Sequence, residues 1–166
     1  MLNKITPRIW YLFVVLCCAS LLGYGLYFQY VEYLDPCPLC ILQRVVFLWI
    51  GVVALLAALH NPGRTGQLVY GWLIGLGATV GVLIAGRHVW LQNLPPGDVP
   101  ECGPGLNYML ENFPLTDVLS TVLHGSGSCA EVKWEFIGLS MPMWTLVWYI
   151  GLGLVTLWVA HSRSRH

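Results

Sequence analysis

The sequence predicts an all-α integral membrane protein: a four-transmembrane-helix bundle with a short amphipathic interfacial helix in one long external loop. Three observations lead there. Of the 166 residues, 57% are hydrophobic and only 10% are charged, whereas soluble domains carry about 25% charged residues. Four stretches reach the roughly 20 apolar residues needed to cross a bilayer. The polar residues and five prolines (Pro95, Pro96, Pro100, Pro104, Pro114) gather in one segment before the last stretch. The length is that of a single domain. Zero net charge leaves no broad basic face, which excludes nucleic acid as a partner.

The first span covers residues 9–31 and holds no charge. Lys4 and Arg8 precede it as they would a signal peptide, but the apolar run exceeds a 7–15-residue signal core and no small-x-small cleavage site closes it. It is read as a retained helix. The second span, 40–59, tolerates one charge, Arg44. The third, 68–86, carries Gly71, Gly75, Gly77 and Gly81, a small-xxx-small pattern that lets helix backbones approach closely. The fourth covers 143–160, and the external loop between the last two spans covers 87–142.

Four spans put both termini and the 60–67 turn on one side. That side holds Lys4, Arg8, Arg64, Arg163 and Arg165, and the other Arg44, Arg87 and Lys133. Cationic loops stay cytoplasmic, so both termini are expected inside and all eight acidic residues outside.

This topology sorts the six cysteines. Cys17 and Cys18 lie within the first span, where free cysteine behaves as a small hydrophobe. Cys37 and Cys40 lie at the outer mouth of the second span, and Cys102 and Cys129 in the external loop. Four cysteines therefore face the side where disulfides persist, if that side is a periplasm. In Asp35-Pro36-Cys37-Pro38-Leu39-Cys40, Pro38 suits the first position of a helix. Cys37 then sits near the N-cap and Cys40 in the first turn, where the helix dipole favours a thiolate, the reactive form. Arg44 is one turn beyond Cys40, on the same face. A structural disulfide or half of a zinc site remains the alternative. The 27-position separation of Cys102 and Cys129 fits a loop disulfide better than a second metal-binding pair, so no metal is expected.

Ionisable groups within spans are costly and are functional candidates, although Arg44 also fits a residue snorkelling to the headgroups. The third span is expected to end at Arg87-His88, at the depth of Arg44, so Arg44, Arg87, His88 and the Cys37/Cys40 pair converge on one layer. His88 suits a proton or hydrogen-bond donor. A cationic, thiol-bearing site beside lipid fits a hydrophobic electron acceptor such as a quinone, which becomes anionic on reduction.

In the external loop, Leu115, Val118, Leu119, Val122 and Leu123 recur at helical spacing opposite Thr116, Asp117, Ser120 and Thr121. With Pro114 at its start, this is an amphipathic helix of about two and a half turns, expected in the membrane interface. Glycines and prolines around Cys102, and Gly125 and Gly127 before Cys129, place both cysteines on accessible loops, where a disulfide is open to exchange.

Over essentially its whole length the chain resembles the disulfide bond formation protein B (DsbB) family. The resemblance rests on Pro36-Cys37-Pro38-Leu39-Cys40 with Gln43-Arg44, on Arg87-His88, on Cys102, on Cys129-Ala130-Glu131, and on Trp134, Gly138-Leu139-Ser140-Met141-Pro142 and Trp144. It implies an inner-membrane bundle that reoxidises a periplasmic thioredoxin-like (DsbA-like) thiol oxidase and passes the electrons to a quinone, ubiquinone or menaquinone. Carried over residue by residue, it implies a Cys102–Cys129 disulfide that accepts electrons, with Cys102 in the mixed disulfide. A second disulfide, Cys37–Cys40, has Cys40 beside the quinone, Arg44 assisting and His88 at a quinone-site position. Cys17 and Cys18 match nothing in that working set. The rival from another class is a four-span scaffold whose external cysteines staple a binding loop; it gives Arg44 and the membrane-level pair no role.

Overall fold

The computed structural model describes residues 7–95, 98, 106–125, 127–132 and 134–164. In chain order these form α1 (Pro7–Tyr30), α2 (Pro38–His60), α3 (Arg64–Gln92), α4 (Leu106–Asn112), α5 (Leu115–His124), α6 (Gly127–Ala130), the strands β1 (Glu135–Phe136) and β2 (Leu139–Ser140), and α7 (Met141–Ser164). Helices α1, α2, α3 and α7 are long and apolar enough to cross a membrane. Their outward faces carry exposed apolar side chains such as Leu16, Leu48, Leu83 and Leu154, a surface matched to lipid and not to water. Backbone polar groups there are satisfied within each helix.

The third span differs from expectation. It was expected over 68–86, ending at Arg87-His88, but helix continues to Gln92. Hydropathy falls once polar residues appear, whereas a helix ends only when its hydrogen-bond ladder is broken. Nothing from Arg87 to Gln92 breaks it, and the first proline is Pro95. Arg87 and His88 are therefore helical residues, and the loop begins later than 87.

Helix α1 packs on α2, α2 on α3, and α3 on α7, while α1 and α7 share no comparable interface among the described residues. The α3–α7 contact is close because one partner lacks side chains. A Cβ on Gly71 would lie 2.7 Å from the Ala160 Cβ, and one on Gly81 would lie 2.5 Å from the Tyr149 ring. Tyr149 is fully buried and stacks on Phe47 at 4.2 Å. Gly81→Ala is therefore expected to cost about 1–3 kcal/mol by overpacking and to lower the thermal midpoint in detergent. An unchanged midpoint would mean that the ring yields freely.

The external segment covers one end of the bundle. Helix α5 sets Val118 and Val122 inward and leaves Leu115 and Leu123 exposed, so its apolar stripe is divided between the bundle, where it touches α2, and the outer surface. Strands β1 and β2 pair antiparallel, with Phe136 opposite Leu139. Ile137 and Gly138 both have positive φ in the two-residue turn, as primed hairpin turns require. The β-branched Ile137 is strained there.

Candidate functional site

The N-terminus of α2 is built by Cys37 and Pro38. Cys37 is the N-cap, Pro38 begins the helix, and the Cys40 backbone N–H donates to Cys37 Sγ across 3.4 Å. Proline at this point forfeits no helical hydrogen bond. Cys37 and Cys40 are hydrogen-bonded sulfur to sulfur at 3.1 Å. Cys37 is buried and Cys40 half-buried, and both line a cavity.

His88 reaches this point from α3. It is 2% exposed, with Nε2 3.6 Å from Cys37 Sγ and Nδ1 3.2 Å from the Gln43 side-chain amide. Gln43 is likewise buried and is held from α7: the Thr145 hydroxyl lies 2.9 Å from Gln43 Oε1, and the Tyr149 hydroxyl donates to the Gln43 carbonyl at 2.7 Å. A buried polar chain needs every member partnered, and this one ties α2, α3 and α7 together beside Cys37.

Cys129 completes the cluster. It lies on α6 and is 0% exposed, which corrects the expectation of an accessible loop position. The glycine-rich sequence around it permits the chain to turn inward as readily as outward. One ligating atom each from Cys37, His88 and Cys129 lies within 4.8 Å of the other two. Cys102 lies outside the described residues.

Arg44 is half-buried and turns towards α1, where its guanidinium donates to Gln29 Oε1 and, at 2.8 Å, to the Gly25 carbonyl. The fork is thus held in place while still lining the cavity. Arg87 is not among the cavity-lining residues; its guanidinium lies 4.3 Å above the Trp90 ring, a cation–π contact. Cys18 is buried at mid-bundle and Cys17 half-buried in α1, well removed along α1 from this end.

The cavity, of about 310 Å³, is of the size of small-molecule pockets. Its lining includes Cys37, Cys40, Arg44 and His88 together with Leu21, Phe28, Trp144 and Trp148. Much of its wall is aromatic and continuous: Tyr24 against Phe28 at 4.8 Å, Phe28 against Trp134 at 5.6 Å, and Trp134 stacked on Phe136 at 5.9 Å. The hairpin holds the last of these in place. The Trp144 indole N–H donates to the Phe136 carbonyl at 3.1 Å, and the Ser140 hydroxyl donates to Gln92 Oε1 at 2.7 Å. Sequence reasoning had not assigned roles to Gln29, Gln43, Thr145 or this wall. The signal available for Gln43 was a polar residue inside an otherwise apolar span.

The family described as "Disulfide bond formation protein DsbB" matches residues 7–159. Similar proteins named "Disulfide bond formation protein B" come from Nitrosococcus oceani (57% identical over 141 residues, 85% of this chain and 83% of the relative) and Chromobacterium violaceum (48% over 162 residues, 98% of each). A third, from Hahella chejuensis, is 51% identical over 164 residues, covering 96% of this chain and 98% of the relative. With four apolar helices and a buried thiol cluster at one end, this chain belongs to the DsbB family of membrane proteins involved in disulfide bond formation.

Proposed function

We propose that this protein is a thiol:quinone oxidoreductase of the bacterial inner membrane that reoxidises a periplasmic thioredoxin-like thiol oxidase (DsbA-like) through two cysteine pairs. The observation that carries the reading is the approach of Cys129 to Cys37 within 4.8 Å, which brings a loop cysteine against the membrane-level pair. Disulfide exchange is thiolate attack on a disulfide sulfur and needs that proximity. The excess of Lys and Arg in the terminal segments and the 60–67 turn supports cytoplasmic termini and periplasmic redox cysteines.

In this reading the partner dithiol reduces the Cys102–Cys129 disulfide, with Cys102 in the mixed disulfide. The Cys129 thiolate then attacks Cys37 Sγ of the Cys37–Cys40 disulfide; the Cys129–Cys37 bond forms and Cys40 leaves as thiolate. Cys102 next attacks Cys129 Sγ, restoring Cys102–Cys129 and releasing the Cys37 thiolate. Two electrons have then moved to the Cys37/Cys40 pair. His88 Nε2, 3.6 Å from Cys37 Sγ, is placed to give or take the Cys37 proton, so its role attaches to Cys37 as well as to the cavity.

A quinone supplies an acceptor of two electrons and two protons. The residues fit such a group: an apolar, aromatic-walled cavity reaches both Cys40 and the Arg44 fork. Arg44 favours an anionic oxygen there. Helices α1 and α7, which share no interface among the described residues comparable to that of α1 with α2, offer a lateral route from lipid between them. Leu21, Leu22 and Trp148 line the cavity from those two helices.

The test is quinone reduction by purified protein supplied with a reduced thioredoxin-like thiol oxidase and either ubiquinone or menaquinone analogues. Quinol formation in step with partner oxidation, absent in Cys40→Ser, is expected. Partner oxidation that never reaches quinone would overturn the reading.

A further inference from the structure

The cluster at the end of α2 also has the donors and spacing of a metal site. Cys37, His88 and Cys129 are buried with ligating atoms within 4.8 Å of one another, and Cys40 adds a sulfur 3.1 Å from Cys37 Sγ. We propose that, when these cysteines are reduced, Cys37, Cys40, Cys129 and His88 bind one thiophilic d10 cation, Zn²⁺ or Cd²⁺, and that the ion holds the protein out of its thiol cycle. The proposal stands on thiol chemistry and does not depend on quinone as acceptor.

Zinc–sulfur bonds of about 2.3 Å and zinc–nitrogen bonds of about 2.0 Å put tetrahedral ligand atoms about 3.5–3.8 Å apart. Cys37 Sγ and Cys40 Sγ, at 3.1 Å, lie closer than that range and open to reach it. The 3.6 Å from Cys37 Sγ to His88 Nε2 falls within it. The separations of Cys129 from Cys37 and His88 need only modest closing from at most 4.8 Å, and Cys40 joins as the sulfur next to Cys37. Three sulfurs and an imidazole, with no carboxylate in the cluster, select soft ions over Mg²⁺ or Ca²⁺.

The surroundings fit as well. A ligating histidine donates its other ring N–H to a fixed acceptor, and His88 Nδ1 faces the Gln43 amide at 3.2 Å. With the ion on Nε2, Nδ1 carries the proton and Gln43 turns its amide oxygen to it. Thr145 allows this turn. Its hydroxyl lies 2.8 Å from the Pro142 carbonyl and 2.9 Å from the Gln43 amide, so it donates to the former and accepts from the turned amide nitrogen.

Binding displaces three thiol protons to solvent and moves no electrons. A Cys37–Cys40 disulfide removes two ligands, and oxidation of Cys129 removes a third. Metal and oxidant therefore compete for the same sulfurs, and an occupied site leaves none of the three free to attack.

The test uses the full chain in detergent, reduced with a phosphine and desalted without oxygen. Cd²⁺ is followed by thiolate-to-cadmium ultraviolet absorption, and Zn²⁺ by competition with a chromophoric chelator. One ion per chain is expected, with none bound by the oxidised protein. Cys129→Ser and His88→Ala should each weaken binding about tenfold or more, on the scale seen for loss of metal-site groups. The Cys17→Ala/Cys18→Ala double variant should bind as the parent does. Size-exclusion elution and helicity confirm folding, with Cys129→Ala and His88→Gln as substitutes for a variant that fails. The proposal is overturned by the absence of stoichiometric binding, by Cys129 and His88 variants that bind as the parent, or by loss of the ion from the Cys17/Cys18 variant. Quinone reduction measured on the same preparation reports separately on the redox reading.

Discussion

Replacing Cys129 with serine is expected to bring partner-driven quinone reduction down to background while leaving the Cys37/Cys40 pair oxidisable by quinone. Serine keeps the shape of the buried side chain, which is 0% exposed, so the bundle should fold. A hydroxyl, however, is no thiolate and forms no bond to sulfur that exchange can reverse. Cys37→Ser should be equally severe for a different reason. It removes the sulfur that lies within 4.8 Å of Cys129 and leaves Cys40 without its disulfide partner. Single-turnover measurements with reduced partner alone, then with quinone and a small dithiol, separate the two half-reactions. A Cys37→Ser variant with its natural partner and quinone at parental rates would sink the two-step relay.

Arg44→Met should lose roughly one to two decades in quinone affinity or reduction rate. A hydrogen bond to a charged group contributes about 1.5–3 kcal/mol, and each 1.4 kcal/mol is about tenfold. Arg44→Lys should recover only part, because an ammonium cannot serve Gln29, the Gly25 carbonyl and an anionic oxygen with the geometry of a planar fork. Arg44 also ties α2 to α1 through Gln29 and Gly25, so Arg44→Met will lower stability too. Gln29→Met serves as the control. It removes one tie but keeps the charge, and should leave the quinone Michaelis constant nearer to the parental value than Arg44→Met does. Equal Michaelis constants for the parent and Arg44→Met would remove Arg44 from the site and leave it a snorkelling helix tie.

The membrane class, the number of spans and the placement of Cys37 and Cys40 at a helix start were determined by the sequence alone. These are local properties: apolar run length against bilayer thickness, and proline at a first helical turn. The extent of α3 was less legible, because hydropathy marks the lipid boundary while the helix runs on from Arg87 to Gln92. Only tertiary structure decided which of two neighbouring residues reaches the cavity. His88 turns into the bundle onto Cys37 and Gln43, and Arg87, one residue and about 100° away, lies over Trp90. The same holds for Cys129. Its glycine-rich surroundings were equally compatible with a solvent-facing loop, and its burial beside Cys37 arises from contacts between segments far apart in the chain. Such contacts leave no periodicity in the sequence. The aromatic wall is the third case: Tyr24 and Phe28 lie far from Trp134 and Phe136 in the chain, and only the fold sets Trp134 against α1 with Phe136 of the hairpin stacked on it.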